Sequence, residues 1–273
     1  MTIKQVVKSA QQRLKGYENE AIFLLCEYLQ KNRTWLFLNE DLDIDEKPYF
    51  QLVNRFKNGE PFEYIFEKAT FWGLEFFIKK RVLIPRYDSE ILLSKIIKLY
   101  EKYPCKKILE IGFGSGILSI IFAKIFNCKI TACDINPTAL EVAKMNAKLH
   151  KVEHLIEFKL CNFELIQEDF ELIFSNPPYI KNDYKLDIWV QNEPQDSLFG
   201  GELGYEILEK IILFARNKNV RFLACEFGYD QKEIVHKILC TNNFKSHFFK
   251  DERNFDRVFV AIAKNEIFNE KIF

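Results

Sequence analysis

Residues 107–117 read KILEIGFGSGI, an apolar run that ends in a glycine-rich loop and continues into a second apolar run. Gly112, Gly114 and Gly116 allow the backbone to turn tightly and a ligand to approach it closely. The apolar run Ile117–Phe126 predicts a helix, whose N-terminus attracts a negative group such as a carboxylate. The stretch therefore predicts a buried strand, a ligand-binding loop and a helix.

Beyond this stretch, the chain from Lys106 onward alternates apolar segments with amphipathic ones. Such alternation is typical of a parallel sheet wrapped by helices. The last two strands are joined by a short connection, so we expect them to pair antiparallel. We predict a doubly wound, mostly parallel α/β sheet of seven strands with an antiparallel last strand. The predicted strands are 106–111, 129–133, 155–160, 171–175, 220–226, 244–249 and 257–263, and the predicted helices are 117–126, 137–149, 204–217 and 230–240.

The N-terminal part has a different pattern, with apolar residues at helical spacing and no glycine loop. Its predicted helices cover residues 3–14, 21–29 and 48–58. Residues 68–80 then change to the pattern of a β-hairpin rich in aromatic residues. We therefore divide the chain into a helical substrate-docking domain, a β-hairpin linker and a catalytic domain, at residues 1–66, 67–85 and 86–273. Asp88 is expected to N-cap the helix that follows it.

Charge and composition exclude several classes of protein. Lys plus Arg and Asp plus Glu both number 39, so the chain has no surplus of positive charge to neutralise a phosphate backbone. The seven cysteines are scattered, without a C-x-x-C pair or a neighbouring His cluster, as is typical of reduced thiols. Ile117–Phe126, the most apolar run, is too short to cross a bilayer, and the N-terminus lacks a signal-peptide core. We expect a cytoplasmic monomer with no metal, no membrane contact and no stable nucleic-acid partner.

A second motif, Asn176-Pro177-Pro178-Tyr179, follows the apolar run 172–175 and so lies where a buried strand ends. The prolines fix φ and remove two N–H donors, which makes the stretch rigid and rich in acceptors. A planar NH2 group can give its two protons to the Asn176 side-chain oxygen and the Pro177 carbonyl while its face rests on Tyr179. Asn-Pro is also a common turn starter, so the residues upstream must decide.

Asp134 ends the second predicted strand, where a carboxylate can accept both ribose hydroxyls of a nucleoside. The glycine loop reads G-x-G-x-G, and Ile117 stands where the dinucleotide fingerprint has a small residue, which disfavours an oxidoreductase. The loop, Asp134 and Asn176 follow the first, second and fourth strands, whose ends are neighbours in a doubly wound sheet. The three motifs therefore predict one site, which suits a nucleoside with an amino-acid tail.

The set Glu110-x-Gly-x-Gly-x-Gly, Asp134 and Asn176-Pro-Pro-Tyr resembles the class I S-adenosylmethionine-dependent methyltransferases that act on an amide or exocyclic NH2. Further matches, from about residue 59 to 263, resemble a narrower family, the bacterial peptide chain release factor glutamine N5-methyltransferases: Gly59-Glu60-Pro61, Phe71-Trp72, Ile84-Pro85-Arg86, Asp88-Ser89-Glu90 and Glu193-Pro194. The chain departs from this narrower family at Glu67, where Gly is usual, and at Ser89, where Thr is usual.

This resemblance implies methyl transfer from S-adenosyl-L-methionine to N5 of the glutamine in the Gly-Gly-Gln motif of class 1 release factors, with S-adenosyl-L-homocysteine as product. Adenine contact falls on Asn162 or Phe163, and we prefer Phe163 because a ring packs well on adenine. The other implied cofactor contacts are Glu110, Gly112, Phe113, Gly114, Ser115, Gly116, Asp134 and Asn176. The implied catalytic residues are Asn176, Pro177 and Tyr179, with Pro178, Arg86 and Glu193 as further substrate contacts.

Other substrates and classes fit parts of the same pattern. A ribosomal-protein glutamine would use every one of these site residues. Adenine N6 of a nucleic acid, flipped into the pocket, would also suit the motif, but the neutral charge and the lack of a recognisable target-reading domain argue against it. A nucleotide-binding oxidoreductase and a non-catalytic adaptor are the alternatives from other classes. The adaptor is disfavoured because all the chemical positions are filled.

Overall fold

The computed structural model describes residues 1–264, which form two compact units. The first unit comprises Met1–Glu67 and Leu186–Asn192, and the second comprises Lys68–Lys185 and the chain from Glu193 onward. The segment Leu186–Asn192 was not foreseen in the sequence-based division at residues 66 and 85. Residues 265–273 of the expected catalytic domain lie outside the described residues.

The first unit is built from helices whose apolar faces share one core. Its first helix begins with a capping box, in which Thr2 Oγ1 accepts from Gln5 N–H and the Gln5 side chain accepts from Thr2 N–H. Two of its helices, of six and five residues, are absent from the sequence-based prediction. The helices are α1 Ile3–Arg13, α2 Glu18–Leu29, α3 Arg33–Leu38, α4 Glu46–Lys57 and α5 Phe62–Phe66.

The segment Leu186–Asn192 completes the core of this first unit. The Trp189 ring centroid lies 5.3 Å from that of Phe56, and the Asn192 amide donates to the Gly59 carbonyl over 2.9 Å. Residues far apart in the sequence thus share one hydrophobic core, and the helical unit is incomplete without this later part of the chain.

The hairpin that we expected to be a linker packs in the core of the second unit. Phe71 and Phe76 are buried there, and the backbone of Phe77 exchanges two hydrogen bonds with the Asn146 side chain, over 2.7 and 3.0 Å. The two strands are β1 Lys68–Phe71 and β2 Leu74–Phe77, paired antiparallel.

The main sheet of the second unit has seven strands in the order β10-β11-β9-β6-β3-β4-β5, numbered along the chain. β3, β4, β5, β6 and β9 are parallel, and β11 pairs antiparallel with β9 and β10, so the predicted fold class is confirmed. The strands are β3 Ile108–Ile111, β4 Ile130–Asp134, β5 Ile156–Leu160, β6 Leu172–Ser175, β9 Phe222–Glu226, β10 Phe244–Lys250 and β11 Asp256–Ala263, and a separate small pair is β7 Ile180–Lys181 with β8 Phe199–Gly201.

Helices cover the main sheet, and two buried apolar clusters pack against its residues. β3, β6 and β9 are buried at every position, as expected for parallel strands between layers of helices. Within residues 1–264, no helix has both the length and the apolar character needed to span a membrane. The helices are α6 Asp88–Lys102, α7 Ile117–Phe126, α8 Pro137–Leu149, α9 Glu206–Asn217 and α10 Lys232–Thr241, with short 3-10 turns at Phe163–Leu165, Val190–Asn192 and Gln195–Ser197.

The predicted N-cap role of Asp88 is wrong. α6 includes Asp88 as its first residue, follows Tyr87 and has no side-chain cap. The Asp88 carboxylate instead lies 3.4 Å from Nε of Arg257 on β11. The carboxylate that the sequence pattern assigned to the helix end thus pairs with a guanidinium of the sheet.

Glu67 ends α5 in the left-handed region, with φ 53° and ψ 33°. This is the position at which the family resemblance has glycine. A side chain with a Cβ costs about 1–2 kcal/mol in this region, and glycine avoids that cost.

We expect Glu67→Gly to raise the free energy of unfolding by about 0.5–1 kcal/mol, because relief of backbone strain exceeds the extra freedom of glycine in the unfolded chain. Urea denaturation followed by circular dichroism measures the change. Glu67→Ala is the matched control, since alanine keeps the Cβ and should give no gain. An equal gain in both variants would contradict the strain argument.

Candidate active site

Adjacent parallel strands bring the predicted motifs to one edge of the sheet. Ile111 at the end of β3 pairs with Ser175 at the end of β6, and β4 lies on the other side of β3. Gly112 and Asn176, the next residues along the chain, therefore emerge side by side, and Asp134 ends β4 at the same edge. The structure thus places the glycine loop, Asp134 and the Asn-Pro-Pro-Tyr motif together.

The glycine loop has φ values of 73° at Gly112, 52° at Gly114 and 80° at Gly116. A Cβ added at Gly112 or Gly114 would meet nothing within 4 Å, so these two residues border open space. A Cβ at Gly116 would instead lie 3.0 Å from the Ala143 Cβ. The first two glycines leave room beside the loop, and the third allows α7 to pack closely on α8.

Asp134 connects this loop to the turn after β4 through its two carboxylate oxygens. Oδ2 accepts from Gly114 N–H and Oδ1 accepts from Asn136 N–H, each over 2.9 Å. Burial raises the pKa of Asp134, and these backbone N–H donors oppose the rise. A carboxylate oxygen accepts more than one hydrogen bond, so Asp134 retains capacity for ribose hydroxyls at the loop.

Three of the predicted cofactor contacts have buried side chains that support the loop. Glu110 is 1% exposed, and its Oε2 accepts from the backbone and the hydroxyl of Ser119 at the start of α7. Burial raises the pKa of Glu110 to about 8, against the effect of these hydrogen bonds. Phe113 packs edge to face on Phe158, and the Ser115 carbonyl accepts from an amide of α8.

Asn162 and Phe163 follow β5, and they have different environments. Asn162 is exposed, and its Oδ1 accepts from Glu164 N–H over 3.0 Å. The Phe163 ring packs edge to face on Phe214 of α9, with centroids 5.4 Å apart. Asn162 Nδ2 also donates to Glu164 Oε2 over 3.0 Å. Both side chains therefore have partners within the chain, and the adenine contact stays a prediction, with Phe163 preferred from the sequence.

Asn176 and Tyr179 meet in a buried hydrogen-bonded network with Ser89 of α6 and Glu226 of β9. The Asn176 Nδ2 donates to Ser89 Oγ over 2.8 Å, and Ser89 Oγ donates to Glu226 Oε2 over 2.7 Å. The Tyr179 hydroxyl donates to Glu226 Oε1 over 2.8 Å. The network therefore holds the Asn176 amide by its nitrogen, which leaves Oδ1 as its available acceptor.

Burial acts on both ionisable members of this network. It raises the pKa of Glu226, and the hydroxyls of Ser89 and Tyr179 oppose the rise by donating to the carboxylate. The pKa of Tyr179 is raised well above its ordinary value by burial and by the neighbouring Glu226 carboxylate. Tyr179 is therefore a neutral phenol whose proton is directed to Glu226.

The backbone of the motif is held from a second side. Gln231 Nε2 donates to the Tyr179 carbonyl over 2.9 Å, and its Oε1 accepts from Gly228 N–H. A Cβ added at Gly200 would lie 2.5 Å from the Pro178 carbonyl oxygen, so glycine is required for β8 to approach the motif this closely. Pro178 and Tyr179 are thus fixed by their main chain as well as by the phenol.

Arg86 and Glu193, predicted as substrate contacts, pair with each other. One Arg86 guanidinium nitrogen lies 2.5 Å from Glu193 Oε1, and Glu193 Oε2 accepts from Ile84 N–H over 3.0 Å. Glu193 is 5% exposed, whereas the Arg86 side chain is about one-third exposed. The positive charge of Arg86 also counteracts the rise in the pKa of Tyr179. Arg86 therefore lies beside the motif, with Glu193 fixing it from the protein side.

Sequence reasoning did not assign site roles to Ser89, Glu226 or Gln231. Glu226 carried a usable signal, because it is a carboxylate that ends an otherwise apolar strand at the ligand-binding edge of the sheet. Ser89 lies in the Asp88-Ser89-Glu90 match to the family, which marked the position without indicating its role, and Gln231 carried no signal, since single polar residues before amphipathic helices are common.

Comparisons with known proteins find matches in both the N-terminal and the later part of the chain. Residues 93–177 match the family described as ribosomal protein L11 methyltransferase (PrmA), and residues 5–66 match the PrmC N-terminal domain. Among solved structures, the ribosomal protein L11 methylase from Lactobacillus delbrueckii subsp. bulgaricus is 18% identical, with a TM-score of 0.52 over 68% of this chain and 83% of that one. A methyltransferase from Pyrococcus furiosus is 19% identical, with a TM-score of 0.51 over 71% of this chain and 91% of that one. These two structures share the fold.

Curated relatives cover nearly the whole chain. A release factor glutamine methyltransferase from Dictyoglomus turgidum is 38% identical, over 93% of this chain and 89% of the relative. A second, from Clostridium acetobutylicum, is 33% identical over 96% of this chain and 99% of the relative. Since both the helical unit and the sheet unit are included in these matches, the chain belongs to the release factor glutamine methyltransferase family.

Proposed function

We propose that this protein transfers a methyl group from S-adenosyl-L-methionine to the side-chain amide nitrogen of the glutamine in the Gly-Gly-Gln motif of class 1 release factors. The observation that carries the proposal is the 38% identity to a release factor glutamine methyltransferase over nearly the full length. The oriented Asn176 amide beside the glycine loop supports it. We further propose that the enzyme is a cytoplasmic monomer, needs no metal and has no stable nucleic-acid or membrane partner.

The residues at the sheet edge fit this cofactor. Open space beside Gly112 and Gly114 gives room for a ligand against the backbone, and the N-terminus of α7 favours the carboxylate of an amino-acid tail. Asp134 would accept the ribose hydroxyls, and Phe163 or Asn162 would contact the adenine. When bound, S-adenosyl-L-methionine supplies a methyl group activated by a sulfonium, and S-adenosyl-L-homocysteine is the product.

The remaining chemistry is the presentation of a poor nucleophile. The lone pair of an amide nitrogen is delocalised into its carbonyl, so the nitrogen must be held as planarity is lost. Asn176 Oδ1 and the Pro177 carbonyl would accept the two N–H protons, with the substrate amide plane on Tyr179. These contacts strengthen as positive charge develops on the nitrogen, which stabilises the transition state more than the ground state.

Asn176, Pro177 and Tyr179 serve as positioning and binding groups in this mechanism, and no base on the protein is required. The Tyr179 hydroxyl donates to Glu226, so the residue offers the substrate its ring. The motif also replaces water around the reacting nitrogen with fixed acceptors. The methylated nitrogen then becomes acidic enough to release its proton to water.

A ribosomal-protein glutamine is the second candidate substrate, favoured by the match of residues 93–177 to the L11 methyltransferase family. That match covers part of the sheet unit, whereas the release factor enzymes match along both units. Adenine N6 remains a third substrate that the motif could accept, and the neutral net charge of the chain gives it no support.

One labelling experiment separates these substrates. The purified enzyme is incubated with tritiated S-adenosyl-L-methionine and, in parallel, a class 1 release factor, its Gln→Ala variant in the Gly-Gly-Gln motif, ribosomal proteins and DNA. We expect label in the unaltered release factor alone, and mass spectrometry of the product peptide to locate the methyl group on the glutamine side chain. Label in the Gln→Ala release factor, or in ribosomal protein or DNA instead, would overturn the assignment.

The helical unit is proposed to dock the release factor. Phe37 and Leu38 of α3 are 76% and 73% exposed. Exposure of two adjacent large apolar side chains to water is unfavourable, and a partner that covers them would remove this cost. Removing residues 1–66 is a poor test of docking, because it would also strip Trp189 of its packing against Phe56. Substitutions at the exposed side chains leave that core intact.

We expect Phe37→Ser combined with Leu38→Ser to raise KM for intact release factor roughly 5–30-fold, as loss of about 1–2 kcal/mol of contact energy predicts. kcat, and kcat/KM for a short Gly-Gly-Gln peptide, should stay unchanged. Leu149→Ser, at a 46% exposed position on α8 of the sheet unit, is the control. Equal KM values for the double variant and the control would remove α3 from the docking surface.

Asp134→Ala is expected to weaken binding of S-adenosyl-L-methionine by about 1.5–3 kcal/mol, the range for hydrogen bonds to a charged group. The variant loses the ribose acceptor and also the carboxylate oxygen to which Gly114 N–H donates, and alanine offers no acceptor in its place. Calorimetry measures the affinity, and circular dichroism checks that the fold is retained. Unchanged affinity would take Asp134 out of the site.

Asn176→Ala should keep the cofactor bound, because the glycine loop and Asp134 supply the other contacts, yet lower kcat by roughly 10²–10³ through loss of one preorganised contact. Asn176→Asp keeps an acceptor but adds a charge near the sulfonium and near Glu226, so kcat should also fall. Steady-state kinetics with release factor, alongside calorimetry with the cofactor, separate the two effects. A wild-type kcat for Asn176→Ala would contradict the mechanism.

A further inference from the structure

The side chain of Asn176 is held by a chain of hydrogen bonds that leads into the core. Asn176 Nδ2 donates to Ser89 Oγ, and Ser89 Oγ donates to Glu226 Oε2, over 2.8 and 2.7 Å. Glu226 is 0% exposed and Ser89 is 3% exposed. Water therefore does not replace either partner, and the direction of each hydrogen bond is set by the protein.

The direction matters because the two ends of an amide have nearly the same size and opposite hydrogen-bonding character. A serine hydroxyl has a single proton, and the proton of Ser89 is given to Glu226. Ser89 can then only accept from Asn176, which requires the NH2 end of the Asn176 amide. The oxygen end is left for the substrate.

Glu226 is an acceptor at both oxygens, since the Tyr179 hydroxyl donates to its Oε1 over 2.8 Å. The charged groups that act on it are Arg257, which favours the carboxylate, and Asp88, which opposes it. Arg257 is itself held by Asp88 and Asp251, with nitrogen–oxygen distances of 3.4 and 3.1 Å. Two hydroxyl donors and a nearby guanidinium thus support a buried carboxylate in this position.

We propose that Glu226 is a positioning residue for the glutamine methylation proposed above: by accepting the Ser89 proton, it orients the Asn176 amide so that Oδ1 meets the substrate NH2. The inference rests on that proposed function. With the opposite orientation, Nδ2 would face the substrate. As a donor it would hydrogen-bond to a carboxylate, and it would offer no acceptor to an NH2 group. The chain Glu226–Ser89–Asn176 therefore makes the site select glutamine over glutamate.

The test compares four variants of the full-length enzyme: Ser89→Ala, Ser89→Thr, Glu226→Gln and the double variant Ser89→Ala/Glu226→Gln. Ser89→Ala removes the hydroxyl that links Asn176 to Glu226. It should lower kcat about 10–100-fold, with cofactor affinity unchanged within about twofold. Ser89→Thr keeps the hydroxyl and should retain kcat within about threefold. Because Glu226 acts through Ser89, the double variant should be no slower than the slower single variant.

Selectivity is the readout that a merely structural role would not move. A release factor with Glu in place of the Gly-Gly-Gln glutamine serves as a competitive inhibitor, and its Ki is compared with the KM of the unaltered factor. For the wild type we expect a high ratio of Ki to KM, because the Asn176 Oδ1 acceptor faces the carboxylate of the inhibitor's Glu side chain. For Ser89→Ala the ratio should fall at least about tenfold, because the Asn176 amide is then free to turn its NH2 end outward.

The outcomes separate this inference from the proposed function. A wild-type enzyme that leaves release factor unlabelled defeats the proposed function before any variant is compared. If the wild type methylates the glutamine, wild-type kcat and selectivity in Ser89→Ala overturn the positioning role, and so do effects that multiply in the double variant. Should Glu226→Gln fail to fold, as judged by circular dichroism and cofactor binding, the Ser89→Ala and Ser89→Thr pair still decides between the results.

Discussion

A buried hydrogen bond joins the two strand ends from which the site emerges: Ser175 Oγ donates to the Ile111 carbonyl over 2.7 Å. It adds to the parallel pairing of β3 and β6, which puts these two residues opposite each other. Gly112 and Asn176 follow directly, so the cofactor loop and the substrate motif start from a shared, rigid edge. Catalysis by positioning depends on such fixed starting points, because small displacements of the reacting groups reduce the rate.

The features that the sequence predicted correctly are those that local chemistry determines. The run into Gly112 combines an apolar strand with glycine at fixed spacing, and both signals lie within eleven residues. The seven strands of the main sheet were recognised because each is short, carries several apolar residues and is separated from the next by a helix or a turn. Asn176 and Asp134 could then be placed together, because the ends of neighbouring parallel strands meet at one edge.

Features that depend on partners distant in the sequence were missed. Ser89 and Glu226 are 137 residues apart in the chain, and their hydrogen bond exists only once α6 has packed against the sheet. Asp88 has the residue type and position of an ordinary helix cap, but its carboxylate pairs with Arg257 instead. In each case the tertiary partner, and not the local pattern, decides what the side chain does.

The contribution of Leu186–Asn192 to the helical unit has a consequence for synthesis of the protein on the ribosome. Residues 1–67 emerge first, yet Trp189, which packs against Phe56, is made about 120 residues later. At translation rates of about 5–20 residues per second, the delay is roughly 6–25 s. During that time the N-terminal helices have an unfilled place in their core. The helical unit therefore reaches its final packing only after most of the sheet unit's parallel strands have been synthesised.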